Sequence, residues 1–143
     1  MLTLAVTLFA LAATSPVTTA PPKTSVTSVT SIPEAESAVT QSARRWLTLV
    51  DASDWQASWQ ATATSFRNAN TVAGWASASQ TARVPLGAAL SRVLISEDAV
   101  PTPPKGNMVL KFRTSFAAKS AAVETLALVR EDGGWRVVGY YID

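Results

Sequence analysis

Cysteine and histidine are both absent from this chain of 143 residues. Their absence excludes a thiolate nucleophile, an imidazole general base and any zinc site built on these two residue types. A metal site would need the carboxylate and carbonyl oxygens that hard cations prefer. The sequence predicts no metal, no other cofactor and no catalytic residue.

Charge is also scarce. The chain carries 12 basic and 10 acidic side chains, and its longest basic run is Arg44-Arg45. Domains that bind nucleic acid usually show a basic patch or stripe. The six glycines are scattered at turns and form no loop that would cradle a phosphate. The sequence therefore predicts no nucleic-acid partner.

The start of the chain has the pattern of an export signal. Residues 1–13 carry no charged side chain and form an apolar stretch too short to span a membrane. No Lys or Arg precedes this stretch, which leaves a weak signal, a start further upstream or a buried helix as alternatives. Residues 14–33 are rich in Ser, Thr and Pro and predict a flexible linker. We therefore expect a signal peptide over 1–13, export to the periplasm or medium, and no transmembrane span after its removal.

Residues 34–143 predict a single α+β domain that begins with helices. Pro33 suits the first turn of a helix, and an amphipathic stripe follows it up to Val50. Asp51 and Asp54 interrupt this stripe and are typical of helix caps. A second helix is predicted over residues 55–66 and a third to about Arg83.

The second half of the domain reads as strands over residues 88–96, 107–116, about 121–130 and 135–142. The predicted fold is α+β, with three N-terminal helices packed on a curved four-stranded antiparallel sheet. Asp132-Gly133-Gly134 predicts the last hairpin, but a two-residue and a three-residue turn place opposite faces of the last strand in the core.

The hairpin between the second and third strands predicts an ion pair. A loop centred on Ala118 and Lys119 would put Arg113 directly opposite Glu124. Opposite charges at such positions stabilise strand pairing by roughly 0.2–1 kcal/mol. We expect a structural ion pair between Arg113 and Glu124.

From Arg45 onward the chain resembles an uncharacterised bacterial family catalogued as domain of unknown function 4019. The motifs that carry the resemblance are Trp46-Leu47-x-Leu49-Val50-Asp51, Trp59, Phe66, Trp75, Arg83-x-Pro85-Leu86-Gly87, Ser91-Arg92, Phe112-Arg113, Phe116, Ala121-Ala122-Val123-Glu124-Thr125 and Asp132-Gly133-Gly134-Trp135-Arg136-Val137-x-Gly139-Tyr140. The resemblance implies an export signal and a cone-shaped fold like that of nuclear transport factor 2 and the cystatins. It implies no activity, and this architecture hosts enzymes and binding modules alike.

Six residues are candidates for a ligand pocket because they combine aromatic surface at the mouth of such a cone with polar groups at the end of the third helix and on the strands. These are Trp59, Trp75, Arg83, Arg92, Glu124 and Tyr141. Trp46 and Trp135 are expected in the core instead, because aromatic stripes at helical spacing usually face the sheet.

These patterns favour a non-enzymatic, exported binding or accessory module, with either a small apolar ligand or an envelope protein as its partner. One alternative is a small enzyme of the isomerase or dehydratase type that uses Glu124 or a tyrosine as acid or base. Another is a homodimer formed through a sheet face that carries Val109, Leu126 and Leu128.

Overall fold

The computed structural model describes residues 35–101 and 106–143. The predicted signal peptide and linker therefore lie outside the described residues. Within the described ranges the elements are α1 (Ala38–Asp51), α2 (Trp55–Gln60), α3 (Thr64–Ala69), α4 (Val72–Arg83), a short 3₁₀ helix (Val84–Leu86), β1 (Ala89–Val100), β2 (Asn107–Phe116), β3 (Lys119–Glu131) and β4 (Gly134–Ile142).

Polar side chains fix where three of the helices begin. Ser37, Asp54 and Thr71 each accept a hydrogen bond from a backbone N–H in the first turn of α1, α2 and α4, respectively. Such caps satisfy donors that have no partner inside the helix. The predicted apolar stripe of α1 is confirmed, since its members are buried: Val39, Ala43, Trp46, Leu47 and Val50.

The second predicted helix is two short helices, α2 and α3. Thr62 forms a parallel bridge with Val137 of β4, and the Ala63 N–H donates to the Val137 carbonyl at 2.9 Å. These contacts interrupt the helix, and the backbone at Ala63 is extended. The helical region therefore docks onto β4 through its main chain, and the described part of the domain has four α-helices where three were predicted.

The four strands of the described region form one open antiparallel sheet in the order β1-β2-β3-β4. This arrangement confirms the predicted α+β class and antiparallel sheet. The inner face packs on α1, and the core residues it contributes are Leu110, Phe112, Leu126, Leu128 and Val137. β1 continues to Val100, beyond its predicted end at Ser96.

The predicted pairing of Arg113 with Glu124 is wrong. Phe116 pairs with Lys119 across a turn at Ala117-Ala118, and a bulge in β3, where Ser120 and Ala121 lie opposite Ser115, then shifts the register. Arg113 consequently lies opposite Val123, while Glu124 lies opposite Phe112. Because successive side chains point to opposite faces, the slip of one residue puts Arg113 on the outer face and Glu124 in the core.

The last hairpin has a two-residue turn. Asp132 and Gly133 both have positive φ, 51° and 76°, and Glu131 pairs with Gly134. This is the left-handed backbone that two-residue hairpins favour, because it matches the twist of the strands. A bulge near Val138 then places Tyr140 on the inner face, opposite Leu126.

The three residues of the predicted dimer surface do not lie on one face of the sheet. Leu126 and Leu128 are fully buried on the inner face with Glu124, whereas Val109 lies on the outer face opposite Ala127. The apolar residues Val123, Ala127 and Val129 on the outer face made both faces of β3 look similar in sequence. The interface prediction that used these three residues is therefore wrong.

Among the described residues, no helix combines the length and the hydropathy that crossing a membrane requires.

Candidate functional site

A cleft of about 390 Å³ lies between α4 and the end of β4, and we call it the α4–β4 cleft. Its walls come from α4, the 3₁₀ helix that follows, the start of β3 and the end of β4. The lining residues are Trp75, Ala78, Ser79, Ala82, Arg83, Leu86, Lys119, Tyr140 and Ile142.

The helical repeat explains why α4 contributes most of this wall. Trp75, Ser79 and Arg83 recur every four residues and lie on one face of the helix. Ala78 and Ala82 lie beside them and are small, so they leave space between α4 and β4. The wall is therefore a large aromatic ring followed by small and polar side chains.

Trp75 is held in place on three sides. Its indole N–H donates to the Ser58 hydroxyl at 2.9 Å. Its ring centroid lies 5.7 Å from that of Trp46 and 5.6 Å from that of Phe66, with an edge-on arrangement to Phe66. Aromatic pairs favour such offset and edge-on geometries, so this side of the cleft is preformed.

Behind the cleft lies a buried ionic network formed by Asp51, Arg83, Arg92 and Glu124. At its centre is Glu124, whose side chain is 0% exposed. Its Oε2 accepts from Arg92 Nε at 2.6 Å and from the Thr114 hydroxyl at 2.5 Å. Its Oε1 accepts from Arg92 Nη2 at 3.2 Å and from the Tyr140 hydroxyl at 2.5 Å. These four bonds use the acceptor capacity of the carboxylate.

Asp51, at the C-terminal end of α1, joins the two arginines of the network. Its oxygens accept from Arg92 Nη1 and Nη2 at 2.8 and 3.1 Å, and from Arg83 Nη2 at 2.9 Å. Arg83 also donates through Nη1 to the Gly87 carbonyl at 2.6 Å and stacks 4.4 Å above the Phe116 ring. Two guanidinium groups and two carboxylates therefore neutralise each other.

The network shifts the pKa values of its members. Burial, followed by the charge of Glu124 and the hydrogen bond to it, raises the pKa of Tyr140 well above the usual range. Burial alone would lower the pKa of Arg92, but hydrogen bonds to Asp51 and Glu124 raise it instead. Burial alone would raise the pKa of Asp51, but hydrogen bonds from Arg92 and Arg83 lower it. Tyr140 therefore stays protonated and the other two stay charged at neutral pH.

This geometry leaves Glu124 without a free acceptor site. The carboxylate does not line the cleft, and Tyr140 stands between them as both a cleft residue and a hydrogen-bond donor. A general base needs a lone pair within reach of the substrate proton. Glu124 would have to break an existing bond to act as one.

Two polar atoms on residues of the α4–β4 cleft have no hydrogen-bond partner within the described part of the chain. They are the Ser79 hydroxyl and Arg83 Nε. Ser79 is 6% exposed and Arg83 is 5% exposed. Buried polar groups in folded proteins are nearly always paired. Within the described ranges, two unpaired buried donors on one wall are therefore an unusual feature of this cleft.

The six candidates from the sequence fall into three groups. Trp75 and Arg83 line the cleft, while Arg92 and Glu124 belong to the network behind it. Trp59 and Tyr141 lie elsewhere. The Trp59 indole donates to the Asn70 carbonyl at 2.8 Å, and Tyr141 is 67% exposed on the outer face.

Sequence reasoning missed the aliphatic lining of the cleft and five polar residues of this region: Asp51, Ser79, Thr114, Lys119 and Tyr140. Asp51 was interpreted as a helix cap, although its carboxylate binds Arg83 and Arg92. The spacing of Ser79 and Arg83 on one helix face was a signal that could have found Ser79. The choice of Tyr140 over Tyr141 depended on the register of the last hairpin.

A second cleft, of about 290 Å³, lies between α1 and the last hairpin. It is lined by Ser42, Arg45, Trp46, Leu49, Ala61, Gly134, Trp135, Arg136 and Val137. Trp46 is buried, with its indole N–H donating to the Ser58 carbonyl at 2.9 Å, and Trp135 packs partly buried against the core. The expected core placement is confirmed for Trp46, whereas Trp135 packs only partly buried at the edge of the core.

Comparison with known proteins gives a family but no described relative. A family model described as "Protein of unknown function (DUF4019)" matches residues 42–140. This match covers most of the described domain and confirms the resemblance predicted from the motifs. No curated protein matches the chain.

Proposed function

Because the chain belongs to the DUF4019 family, whose description assigns no function, we propose a function from the α4–β4 cleft: the domain is a binding module for a small, largely apolar ligand. The observation that carries this proposal is the cleft itself. Its volume of about 390 Å³ falls within the range of roughly 300–1,000 Å³ typical of small-molecule sites.

The composition of the lining supports a ligand with a large apolar part. Five of the lining side chains are aliphatic or indole: Trp75, Ala78, Ala82, Leu86 and Ile142. A few polar groups among apolar walls are the usual composition of ligand pockets, since the apolar surface supplies affinity and the polar groups fix orientation.

The buried ionic network supports a preformed cleft. Its members come from α1, α4, β1 and β3, and Tyr140 adds β4. Buried ion pairs add little net stability, because desolvation costs about as much as attraction gains. In this domain we assign the network the role of holding the cleft walls in one arrangement, and a preformed site binds without a reorganisation cost.

The same network argues against an enzyme of the isomerase or dehydratase type. Glu124 has its acceptor sites filled, and the Tyr140 proton is already donated to it. The chain has no histidine or cysteine to supply another base or nucleophile near neutral pH. Binding without turnover is therefore the better account of this cleft.

We further propose that the protein is exported and acts in the periplasm or outside the cell. The uncharged apolar residues 1–13 and the Ser/Thr/Pro-rich stretch that follows support export. The order of helices followed by an antiparallel sheet supports the cone-shaped architecture that the family resemblance implies. A partner protein in the envelope stays a prediction.

Occlusion of the cleft tests the binding proposal. N-phenylnaphthylamine, an uncharged apolar probe whose fluorescence rises in apolar sites, should bind saturably to the full chain. Ala82→Phe should abolish this binding because the ring fills the cleft. Ala73→Phe is the matched control, because Ala73 is exposed on the same helix but does not line the cleft.

Absence of saturable binding, or equal binding by both phenylalanine variants, would mean that the α4–β4 cleft is not a ligand site.

A further inference from the structure

One helix face places two unpartnered polar atoms at the same wall of the α4–β4 cleft. Ser79 and Arg83 are four residues apart on α4, so their side chains lie one turn apart on one face. Both residues are at least nine-tenths buried, and neither the Ser79 hydroxyl nor Arg83 Nε meets an acceptor among the described residues. An acceptor supplied by a ligand would satisfy both donors at once.

The charge of the lining indicates the sign of that ligand. Arg83 and Lys119 both line the cleft, and the described lining contains no carboxylate. Asp51 neutralises Arg83 at 2.9 Å, whereas Lys119 has no carboxylate within 4.0 Å in the described ranges. The cleft therefore carries one uncompensated positive charge, which matches an anion of a single charge better than a dianion.

We propose that the ligand is a monocarboxylate with an apolar chain or ring. Its carboxylate accepts from the Ser79 hydroxyl and Arg83 Nε and pairs with Lys119, while its apolar part lies against Trp75, Leu86 and Ile142. A carboxylate suits the two donors because it is planar and offers two oxygens, and bonds between charged partners are the stronger kind. This inference rests on the proposed binding function and adds the chemical class of the ligand.

Octanoate and octanol test the class, because they share an apolar chain and differ in the head group. Each is titrated into the full chain with bound N-phenylnaphthylamine, and displacement of the probe gives the affinity. We expect octanoate to bind about tenfold more tightly than octanol, because a hydrogen bond to a charged group is worth about one decade in affinity.

Two variants locate the head group. Ser79→Ala should weaken octanoate about tenfold and leave octanol unchanged, because it removes one donor to the carboxylate. Lys119→Gln should weaken octanoate about threefold, the smaller effect reflecting an exposed charge, and this effect should fade as salt rises. Lys111→Gln, a loss of the same charge on the outer face of β2, is the control and should change neither affinity.

The stability of the ligand-free protein distinguishes a binding role of Ser79 from a purely structural one, which would instead lower that stability. Loss of an unpartnered buried hydroxyl should leave the ligand-free protein as stable as before or more so, while octanoate binding falls. Equal affinities of octanoate and octanol, or an octanoate affinity that Ser79→Ala does not change, would overturn the carboxylate and leave the apolar site intact. Failure of N-phenylnaphthylamine itself to bind would overturn the binding function as well.

Discussion

Tyr140 of β4 donates its hydroxyl proton to Glu124 of β3 at 2.5 Å, and Glu124 is completely shielded from solvent. The tyrosine ring also lines the α4–β4 cleft. One side chain therefore joins the cleft to the buried ionic network. A substitution in the network should alter the cleft, and a substitution in the cleft should alter the network.

Glu124→Gln should destabilise the domain by about 3–5 kcal/mol, the usual effect of removing one partner of a buried ion pair. The amide keeps the shape of the carboxylate but leaves Arg92 with Asp51 as its remaining acidic partner. Urea unfolding followed by tryptophan fluorescence measures the change. Glu36→Gln is the control, because the Glu36–Arg44 pair is 38% and 36% exposed and such pairs contribute about 0–1 kcal/mol. Equal losses in both variants would contradict the assigned burial.

Tyr140→Phe should cost about 2 kcal/mol, since it strips a hydrogen bond from a buried charged acceptor. Tyr141→Phe changes the neighbouring tyrosine, which is largely exposed and lies on the other face of β4. We expect the second variant to unfold at the wild-type urea concentration. A larger loss from Tyr141→Phe would mean that the register of the last hairpin is misassigned.

The raised pKa of Tyr140 should be visible in alkali. The chain has two tyrosines, so Tyr141→Phe isolates the signal of Tyr140. Phenolate absorbance in this variant should appear only above the ordinary tyrosine pKa of about 10. Because the folded pKa lies above the unfolded one, stability is full below the unfolded value and declines as pH rises past it. Ionisation at the ordinary pH without loss of structure would disprove the contact.

Acid should weaken the domain through Asp51, because burial, which raises its pKa, is outweighed by hydrogen bonds from Arg92 and Arg83 that hold the folded pKa below the ordinary range of aspartate. The stabilisation is present above the unfolded pKa and is lost as pH falls through the folded pKa. Asp51→Asn should therefore cost about 1 kcal/mol at neutral pH, where it removes charged hydrogen bonds to Arg83 and Arg92. It should also flatten the decline of stability between pH 5 and 3, roughly the interval in which aspartates titrate. Parallel pH profiles of the two proteins would refute the role of Asp51.

Glu131 should act as a cap for α3 from a distant part of the chain. Its carboxylate accepts from the Thr64 N–H at 3.0 Å and from the Thr64 hydroxyl at 2.6 Å, and these bonds lower its pKa. We expect Glu131→Gln to cost about 1 kcal/mol, the usual value of a helix cap. Thr64→Ala keeps the backbone N–H and should cost less, as measured by thermal unfolding. The reverse order would show that the hydroxyl bond dominates.

The helix and strand pattern was predictable because it depends on local periodicity. The stripe from Val39 to Val50 repeats with the helical period, and the alternation along β2 repeats with the period of a strand. Each sequence pattern matches the observed burial because the same face of the helix or strand is buried along its whole length. The break at Thr62 had no such signal, since it arises from pairing with Val137, which lies far away in sequence.

The candidate site was only partly predictable because it depends on register. Arg92 of β1 reaches across β2, beside Thr114, to contact Glu124 on β3. The bulge at Ser120-Ala121 of β3 decides that Glu124 faces this arginine and not Arg113. One inserted residue reverses the faces, and no composition or local pattern marks where it falls.

β1 is one of the two edge strands of the sheet, and edge strands ordinarily open first in native-state fluctuations. Here detachment of the first half of β1 would withdraw Arg92 and leave the Glu124 carboxylate buried without its cation. Opening at that point therefore requires a much larger rearrangement than the loss of a few ladder bonds. The side chains of Arg92 and of Glu97, which accepts from Ser37 and Thr40, hold β1 to the rest of the domain. Amide protection should therefore be greatest next to Arg92 and fall beyond Glu97, toward the end of the strand at Val100.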